Sequence, residues 1–392
     1  MSAPSGLGRI VFANENLGGH TSMHRYLREV LPEVAPDIDA QFVDARPPNL
    51  GERIVSAAAP GLGRLDLDLQ PLRSQLARSR AVRSALGRVG PFDVLHIHTQ
   101  SIALQSVDLL RSHASLVSTD GTLAQVAFRI PYRRPTRFTA AALPVAQMFE
   151  RRVYEAATLL LAKSQWAAGA MQSAYGVSPD RIRIVPFGVP PGPEPVHRDV
   201  PVPEITFIGV TLERKGGQRL LRVFREQFRD RCVLNLVTRE AVPAEPGVRV
   251  IGDFEPADPR LPELLSRSAM FVFPTEIDYS PIAVLEAMRA GLPVITTRSG
   301  AVPEMVDDGV TGILVAHDDA DLARAISTLL DDPDRARSMG VAGRARLEER
   351  FDARKTTAGI LDVCAEASEL HSARSYARHV SFSGNGRASH GE

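Results

Sequence analysis

The chain has 392 residues, which exceeds what a single hydrophobic core usually supports, so we expect two domains. Its 46 basic and 46 acidic side chains give no net charge, and this balance argues against a nucleic-acid-binding protein. No apolar stretch reaches the ~18 residues that span a bilayer, and the first residues lack the apolar core of a signal peptide. These features favour a cytoplasmic protein.

The first half of the chain alternates apolar strands with helices. A strand over 9–13 is followed by Gly18 and Gly19, where backbone can approach a ligand closely, and then by an amphipathic helix. Further strands end at His98 and at Asp120. We expect both side chains at the carboxyl edge of a parallel sheet, where such sheets bind ligands.

Two segments of this half are basic and contain no acid. Residues 69–92 include five arginines, and residues 129–137 include four that alternate with apolar and aromatic side chains. Such runs are most often solvated faces. The alternative is a surface that attracts anionic lipid or an anionic acceptor, which predicts peripheral contact with the inner face of a membrane.

A proline-rich segment over 190–203 is typical of a semi-rigid spacer. It divides the chain into a first domain over 1–189 and a second domain over 204–368. Residues 369–392 mix Ser, Gly, His and Arg with little periodicity, which predicts a disordered tail. Cys232 and Cys364 lie in apolar contexts and indicate buried thiols.

Lysine is rare in this chain, with only three residues among the 46 basic side chains. One of them, Lys215, follows a strand that ends at Gly209 and precedes Gly216 and Gly217, which open a helix. A cationic side chain at such a helix start is a suitable partner for a diphosphate.

The most informative segment is 270–295, which predicts a strand, a loop, a helix and a returning strand. Ser280 is expected to cap the helix, with Pro281 at its first position and Gly291 at its end. The N–H groups of this helix start suit a phosphate. Asp278 and Glu286 would accept hydrogen bonds from the hydroxyls of a sugar nucleotide.

This segment resembles the donor-binding signature of retaining GT-B glycosyltransferases of the glycosyltransferase 4 family. The family's acid, seven residues, acid pattern falls on Asp278 and Glu286, and its flanking sequences recur here as Phe-Val-Phe-Pro, Ser-Pro-Ile, Leu-Glu-Ala-Met and Gly-Leu-Pro-Val-Ile. The resemblance implies an α/β fold with two doubly wound, Rossmann-like domains that face a deep cleft. It implies that Glu286 binds the ribose, Asp278 the donor sugar and Lys215 the pyrophosphate.

Four positions depart from the family pattern. Asp278 stands where the family usually has Glu, and Asp120 stands where many relatives have a histidine that contacts the donor sugar. Val210 replaces an arginine that holds the pyrophosphate, and Arg214 is inferred to supply that charge instead. Phe187 replaces an asparagine.

The resemblance implies a retaining, metal-independent glycosyltransferase that uses a UDP- or GDP-sugar and needs no cofactor. Its acceptor is unknown and is a small molecule, a glycan or a lipid-linked group. The alternative is a degenerate, non-catalytic protein that binds sugar nucleotides. The expected catalytic residues are Asp278, Lys215, Arg214 and Asp120, and the expected donor-binding residues are Gly18, Gly19, Glu286, Ser280, Pro281 and Ile282.

Overall fold

The computed structural model describes residues 7–15, 19–45, 68–130, 135–194, 200–254, 258 and 260–384. In this part of the chain the backbone forms two parallel sheets of six strands each, and helices pack against both sheets. The expectation of two doubly wound α/β units is therefore confirmed. None of the described helices is long and apolar enough to cross a membrane.

The first sheet has the strand order β2-β1-β3-β4-β5-β6. Its strands are β1 (Ile10–Asn14), β2 (Ala40–Asp44), β3 (Val94–His98), β4 (Ala114–Thr119), β5 (Leu159–Ala162) and β6 (Ile182–Ile184). The winding direction reverses between β1 and β3, and such a reversal leaves a crevice beyond the carboxyl ends of the strands.

The described residues of the first half also form six helices and short 3-10 turns at Gln100–Ile102 and Pro179–Arg181. The helices are α1 (Gly19–Val34), α2 (Gln70–Leu86), α3 (Val107–Ser112), α4 (Leu123–Val126), α5 (Thr139–Ala156) and α6 (Gln165–Tyr175). The buried side chains of α2, α5 and α6 pack on one face of the first sheet. His96 on β3 is buried, and its Nε2 lies 2.5 Å from the Ser118 hydroxyl, so it is a core histidine with a hydrogen-bond partner.

The second sheet has the strand order β12-β11-β10-β7-β8-β9, so its winding direction reverses between β7 and β10. Its strands are β7 (Glu204–Ile208), β8 (Val233–Val237), β9 (Val248–Ile251), β10 (Ser268–Phe273), β11 (Val294–Thr297) and β12 (Gly312–Val315). The helices of this half are α7 (Leu212–Lys215), α8 (Gly217–Gln227), α9 (Leu261–Ser266), α10 (Ile282–Arg289), α11 (Val302–Met305), α12 (Asp319–Asp331) and α13 (Pro333–Arg350).

The last helix, α14 (Ala353–Gly384), returns to the first sheet. Its Ile360, Leu361 and Cys364 are buried in one cluster with Ile10 and Phe12 of β1. We therefore propose that the first half of this helix belongs to the first domain, although it follows the second in sequence.

The prediction of a disordered tail from residue 369 is wrong for residues 369–384, which continue α14. Leu370 still packs against the core of the first sheet, and the sequence holds no glycine or proline between 360 and 383 to end the helix. Residues 385–392 and residues 195–199 of the proline-rich segment lie outside the described part of the chain.

Candidate functional site

A cleft of about 620 Å³ lies between the two halves, beyond the carboxyl ends of their strands. Gly19 at the start of α1 and Ile282 at the start of α10 both line it and lie next to each other. A Cβ on Gly19 would lie 3.7 Å from the Ile282 side chain. The two helix N-termini therefore border the same space. Gly18 lies outside the described residues.

The loop after β7 places two cations at this cleft. Gly216 has a φ of +80°, and a Cβ there would lie 1.9 Å from the carbonyl oxygen of Pro274, so the loop requires glycine to lie against the end of β10. The carbonyl of Arg214 accepts hydrogen bonds from the Glu276 N–H at 3.0 Å and from a neighbouring threonine hydroxyl. These contacts hold Arg214 and Lys215 beside the loop that follows β10.

Asp278 in that loop lies between the two cations. Its Oδ2 forms an ion pair with Lys215 and lies 3.9 Å from the Arg214 guanidinium, while its Oδ1 accepts the Tyr279 N–H at 3.0 Å. Burial lowers the pKa of Lys215, and the Asp278 charge opposes that shift. The carboxylate is thus fixed in place, and it holds together two cations that repel each other.

Tyr279 joins the two halves of the molecule. Its ring centroid lies 5.6 Å from that of Trp166, and a Cβ on Gly121 would lie 2.9 Å from the ring. Nearby, the backbone N–H groups of Gln165 and Trp166 each donate to the Glu304 carboxylate at 2.8 Å. A carboxylate from the second half therefore caps the N-terminus of α6, where the helix dipole favours negative charge.

The start of α10 differs from the prediction by one residue. Pro281, in an extended conformation, is the capping residue, so Ser280 precedes the cap and the helix begins at Ile282. The helix ends at Arg289, and Gly291 has the φ of +70° expected of a glycine that stops a helix. Ser280, Pro281 and Ile282 all line the cleft.

Glu286 lies one turn further along α10 and lines a second cavity of about 670 Å³. Its Oε1 accepts a hydrogen bond from the Tyr26 hydroxyl of α1 at 2.9 Å. Burial raises the pKa of Glu286, and the hydrogen bond from Tyr26 and the charges of Arg289 and Arg25 oppose that shift. The two acids of the sequence pattern thus face neighbouring cavities rather than one shared anion site.

The opposite wall of the cleft, from the first half, is a chain of alternating charges. Arg78 of α2 forms an ion pair with Glu15, and the two ring nitrogens of His20 lie 3.2 Å from the carboxylates of Glu15 and Asp120. Burial alone would lower the pKa of His20, but hydrogen bonds to Asp120 and Glu15 outweigh it and raise the pKa to about 10. His20 is therefore an imidazolium at neutral pH.

A buried lysine and a buried histidine lie behind this chain of charges. Burial lowers the pKa of Lys163 to about 7, against the opposing charge of Asp120. The Lys163 ammonium lies 5.3 Å from the ring centroid of Phe187, the residue that replaces the family's asparagine. The His98 ring stands edge-on to Phe187 and to His20, with centroids 5.5 and 4.6 Å away.

The cleft brings together most of the residues predicted from the sequence, namely Gly19, Asp120, Arg214, Lys215, Asp278, Ser280, Pro281 and Ile282. Sequence reasoning missed Glu15, His20, Arg78, Lys163 and Tyr26. Glu15 and His20 could have been predicted, because an acid and a histidine flank the glycine pair in the sequence. Arg78 and Tyr26 gave no such signal, because their partners are distant in sequence. Val210, at the place of the missing arginine, is 61% exposed.

Within the described ranges, no group of three or more His, Cys, Asp or Glu side chains is placed to hold a metal ion. Metal independence nevertheless stays a prediction about the reaction.

Comparison with known proteins agrees with this geometry. Residues 22–192 match the family model described as Glycosyltransferase Family 4, and residues 202–332 match that of Glycosyl transferases group 1. The chain is 26% identical over 395 residues to the MMP α-(1→4)-mannosyltransferase of Mycolicibacterium hassiacum, with 89% of this chain and 95% of that protein covered. It is 28% identical over 294 residues to the α-maltose-1-phosphate synthase of Mycolicibacterium smegmatis, with 63% and 76% covered.

Solved structures show the same fold. Sucrose-phosphate synthase from Thermosynechococcus elongatus superposes with a TM-score of 0.68 at 18% identity, covering 94% of this chain and all of that one. Anabaena HepE, in complex with UDP and glucose, superposes with a TM-score of 0.63 at 15% identity, with 92% and 100% covered. The two facing α/β units are therefore a GT-B fold. The chain belongs to glycosyltransferase family 4.

Proposed function

We propose that this protein transfers a sugar from a nucleotide-diphosphate donor to an acceptor hydroxyl, with retention of configuration and without a metal ion. One observation carries the proposal: Lys215, Arg214 and the N-terminus of α10 converge on Asp278 where the winding of the second sheet reverses. Two cations and a helix N-terminus match a diphosphate, and the adjacent carboxylate matches sugar hydroxyls.

The donor nucleoside would lie beside Glu286, following the family's assignment of this acid to the ribose. Glu286 opens into the cavity of about 670 Å³, which is also lined by Tyr26, Arg289 and the start of the proline-rich segment. A donor bound in this way runs along α10, with its diphosphate at the first turn and its ribose at the second.

Transfer would need no nucleophile from the protein. The acceptor hydroxyl attacks the anomeric carbon on the face that the diphosphate leaves, the bond from that carbon to the diphosphate oxygen breaks, and the hydroxyl proton passes to the departing phosphate. Lys215 and Arg214 stabilise the charge that develops on the leaving group, and Asp278 holds the sugar in position. Asp120 would face the incoming acceptor.

The names and ligands of related proteins narrow the donors worth testing. One relative is named a mannosyltransferase, and solved neighbours hold UDP, UDP-glucose or ADP. UDP-, GDP- and ADP-linked hexoses therefore form the first panel.

The experiment combines donor-induced thermal shift with product analysis on the full chain. We expect one nucleotide-sugar to raise the melting temperature, and NMR of the glycoside formed from it to show the donor's anomeric configuration. Inversion would refute the retaining mechanism. A donor that binds without hydrolysis or transfer to any acceptor would favour the non-catalytic alternative. The exposed Val210 supports that alternative, because it stands where the family has an arginine that holds the pyrophosphate.

We also propose that the first half of the protein contacts anionic membranes at the surface around Arg129. Phe128 and Ile130, on either side of this arginine, are 53% and 65% exposed, and Arg137 lies over the ring of Phe138. Exposed apolar side chains beside cations suit the headgroup region of a bilayer. Tyr132, Arg133 and Arg134 of the same run lie outside the described residues.

The other basic segment supports membrane contact less. Arg78 and Arg83 of α2 form ion pairs with Glu15 and Asp108, which come from other parts of the chain. Flotation with phosphatidylglycerol liposomes at low and high salt tests the contact. We expect binding at low salt that Phe128→Ser and Ile130→Ser weaken. No binding at low salt would leave a soluble acceptor as the better hypothesis.

A further inference from the structure

We propose that the first-half wall of the cleft binds an uncharged, hydroxyl-rich acceptor, a sugar or polyol, in preference to an acceptor that carries a phosphate. We call this surface the acceptor wall and define it by Glu15, His20, Arg78, Gln100 and Asp120, all of which line the cleft. The inference rests on the proposed function, because it names the chemical class of the second substrate.

The cations of the acceptor wall are already paired within it. Arg78 is bound to Glu15, and both ring nitrogens of His20 are engaged by Glu15 and Asp120. A phosphate placed here would meet two carboxylates and compete with them for the same two cations. Like charges at such short range repel each other strongly in a partly buried site, so this wall disfavours a phosphate.

Gln100 is an independent sign of the ligand this wall takes. It is buried, with 4% of its surface exposed, and its Nε2 donates to the Gly121 carbonyl at 2.8 Å and to Glu150 at 3.3 Å. Its Oε1 is buried without a hydrogen-bond partner in the described part of the chain. A buried amide oxygen needs a donor, and an acceptor hydroxyl that reached it would supply one, whereas an ionised phosphate group would not.

The other first-half residues that line the cleft also favour a ligand with hydroxyl groups. Glu150 adds a carboxyl whose pKa burial raises to about 7, against opposing hydrogen bonds from Tyr175 and Gln100. Hydroxyl and amide side chains line the same cleft, namely Ser74, Gln75, Thr99, Ser101 and Thr122. Such a surface matches the many O–H groups of a polyol, each of which both donates and accepts.

The test measures acceptor preference on the unmodified full chain with the donor found by thermal shift. Glucose, maltose and myo-inositol are each compared with a monophosphate of the same compound. We expect kcat/KM to favour the neutral member of a pair by at least about tenfold. Preference for the phosphorylated member would overturn the inference, as would donor binding with transfer to neither class.

Variants connect the preference to the acceptor wall. Gln100→Leu should raise KM for the neutral acceptor by about tenfold and leave the donor KM and the donor-induced thermal shift unchanged. Gln105→Leu, at an exposed glutamine outside the cleft, is the matched control and should change neither. Equal effects of the two substitutions, or an effect of Gln100→Leu on the donor alone, would overturn the role given to Gln100.

The panel separates this inference from the proposed function. Absence of any donor-induced thermal shift would count against the proposed function itself. A normal shift with transfer to phosphorylated acceptors would leave the proposed function standing and refute only the acceptor class.

Discussion

The two walls of the cleft carry charge in opposite ways. On the second-half wall, Lys215 and Arg214 share one carboxylate, so positive charge is in excess. On the acceptor wall, two cations alternate with two carboxylates and cancel them. We therefore assign the anionic leaving group to one wall and the acceptor hydroxyls to the other, although the protein as a whole has no net charge.

The walls also differ in how they are assembled. The cationic wall comes from α7 and from the loop after β10, which are joined by a backbone hydrogen bond and by a threonine hydroxyl. The acceptor wall draws one residue each from the segments after β1, β3 and β4 and from α1 and α2. The first arrangement is local and leaves a sequence motif, whereas the second depends on packing.

The largest effect is expected at Lys215. Lys215→Ala removes a cation that stabilises the leaving diphosphate, and we expect turnover to fall about 100-fold or more. Lys355→Ala, at an exposed lysine on α14, is the matched control and should leave turnover unchanged.

Activity should also survive EDTA. Loss on chelation with recovery only on adding Mg²⁺ or Mn²⁺ would contradict the metal-independent account.

Glu286→Ala should weaken donor binding next most strongly. Ribose hydroxyls would lose a charged acceptor worth about 1.5–3 kcal/mol, which corresponds to roughly tenfold to hundredfold in affinity. Calorimetry with the donor measures it, with Glu226→Ala at an exposed position of α8 as the control. Unchanged affinity would remove Glu286 from the donor site.

Asp278→Glu tests whether the shorter acid is matched to its surroundings. Asp278 is held by Lys215 and by the Tyr279 N–H, so an added methylene should displace the carboxylate and lower turnover by about tenfold. The measurement is kcat with the native donor. A rise in kcat would instead favour an enzyme in decay, restored by the family's usual residue.

Tyr26→Phe should have a smaller effect, of about three- to tenfold on donor affinity. The Tyr26 hydroxyl opposes the burial that raises the pKa of Glu286, so removing it should raise that pKa further. Donor binding needs the ionised carboxylate. As the pH is lowered, the variant should therefore lose donor affinity at a higher pH than the wild type does. Calorimetric titrations across a pH series check this. If the variant and the wild type lost donor affinity at the same pH, Tyr26 would have no such role.

The last prediction concerns stability rather than activity, namely the contribution of His20 to the acceptor wall. Its pKa rises from 6.5 to about 10 on folding, so the imidazolium stabilises the fold fully below its unfolded pKa and loses this contribution as the pH rises toward 10. The melting temperature of His20→Gln should therefore lie furthest below that of the wild type near about pH 6, and the gap should close near about pH 10. A constant gap would contradict the charged state.

The sequence was sufficient for the fold and for most of the cationic wall. Apolar runs bounded by turn residues predicted the parallel strands. The motif around Asp278 is contiguous in sequence, so it could be recognised without knowledge of the fold. The sequence predicted the start of α10 one residue early. Serine is a common capping residue and proline a common first helical residue, so Ser280 and Pro281 fit those positions as well as the observed start at Ile282 does. The sequence also missed the helical continuation after residue 369, where one contact of Leu370 supports a polar segment.

The acceptor wall could not be derived in the same way. The role of His20 depends on Asp120, a hundred positions away. Tyr26 and Glu286 are separated by 260 positions. The first pair forms within the first half of the chain and the second joins its two halves, so in neither case does a partner's local sequence reveal the contact.

The central claim is that the two walls divide the substrates between them, and donor calorimetry on variants of each wall tests it most directly. We expect Lys215→Ala and Glu286→Ala to lose most of the affinity for the nucleotide-sugar, and Gln100→Leu and Glu15→Gln to bind it as the wild type does. Equal loss of donor affinity in the acceptor-wall variants, or full affinity in the Lys215 and Glu286 variants, would contradict the account.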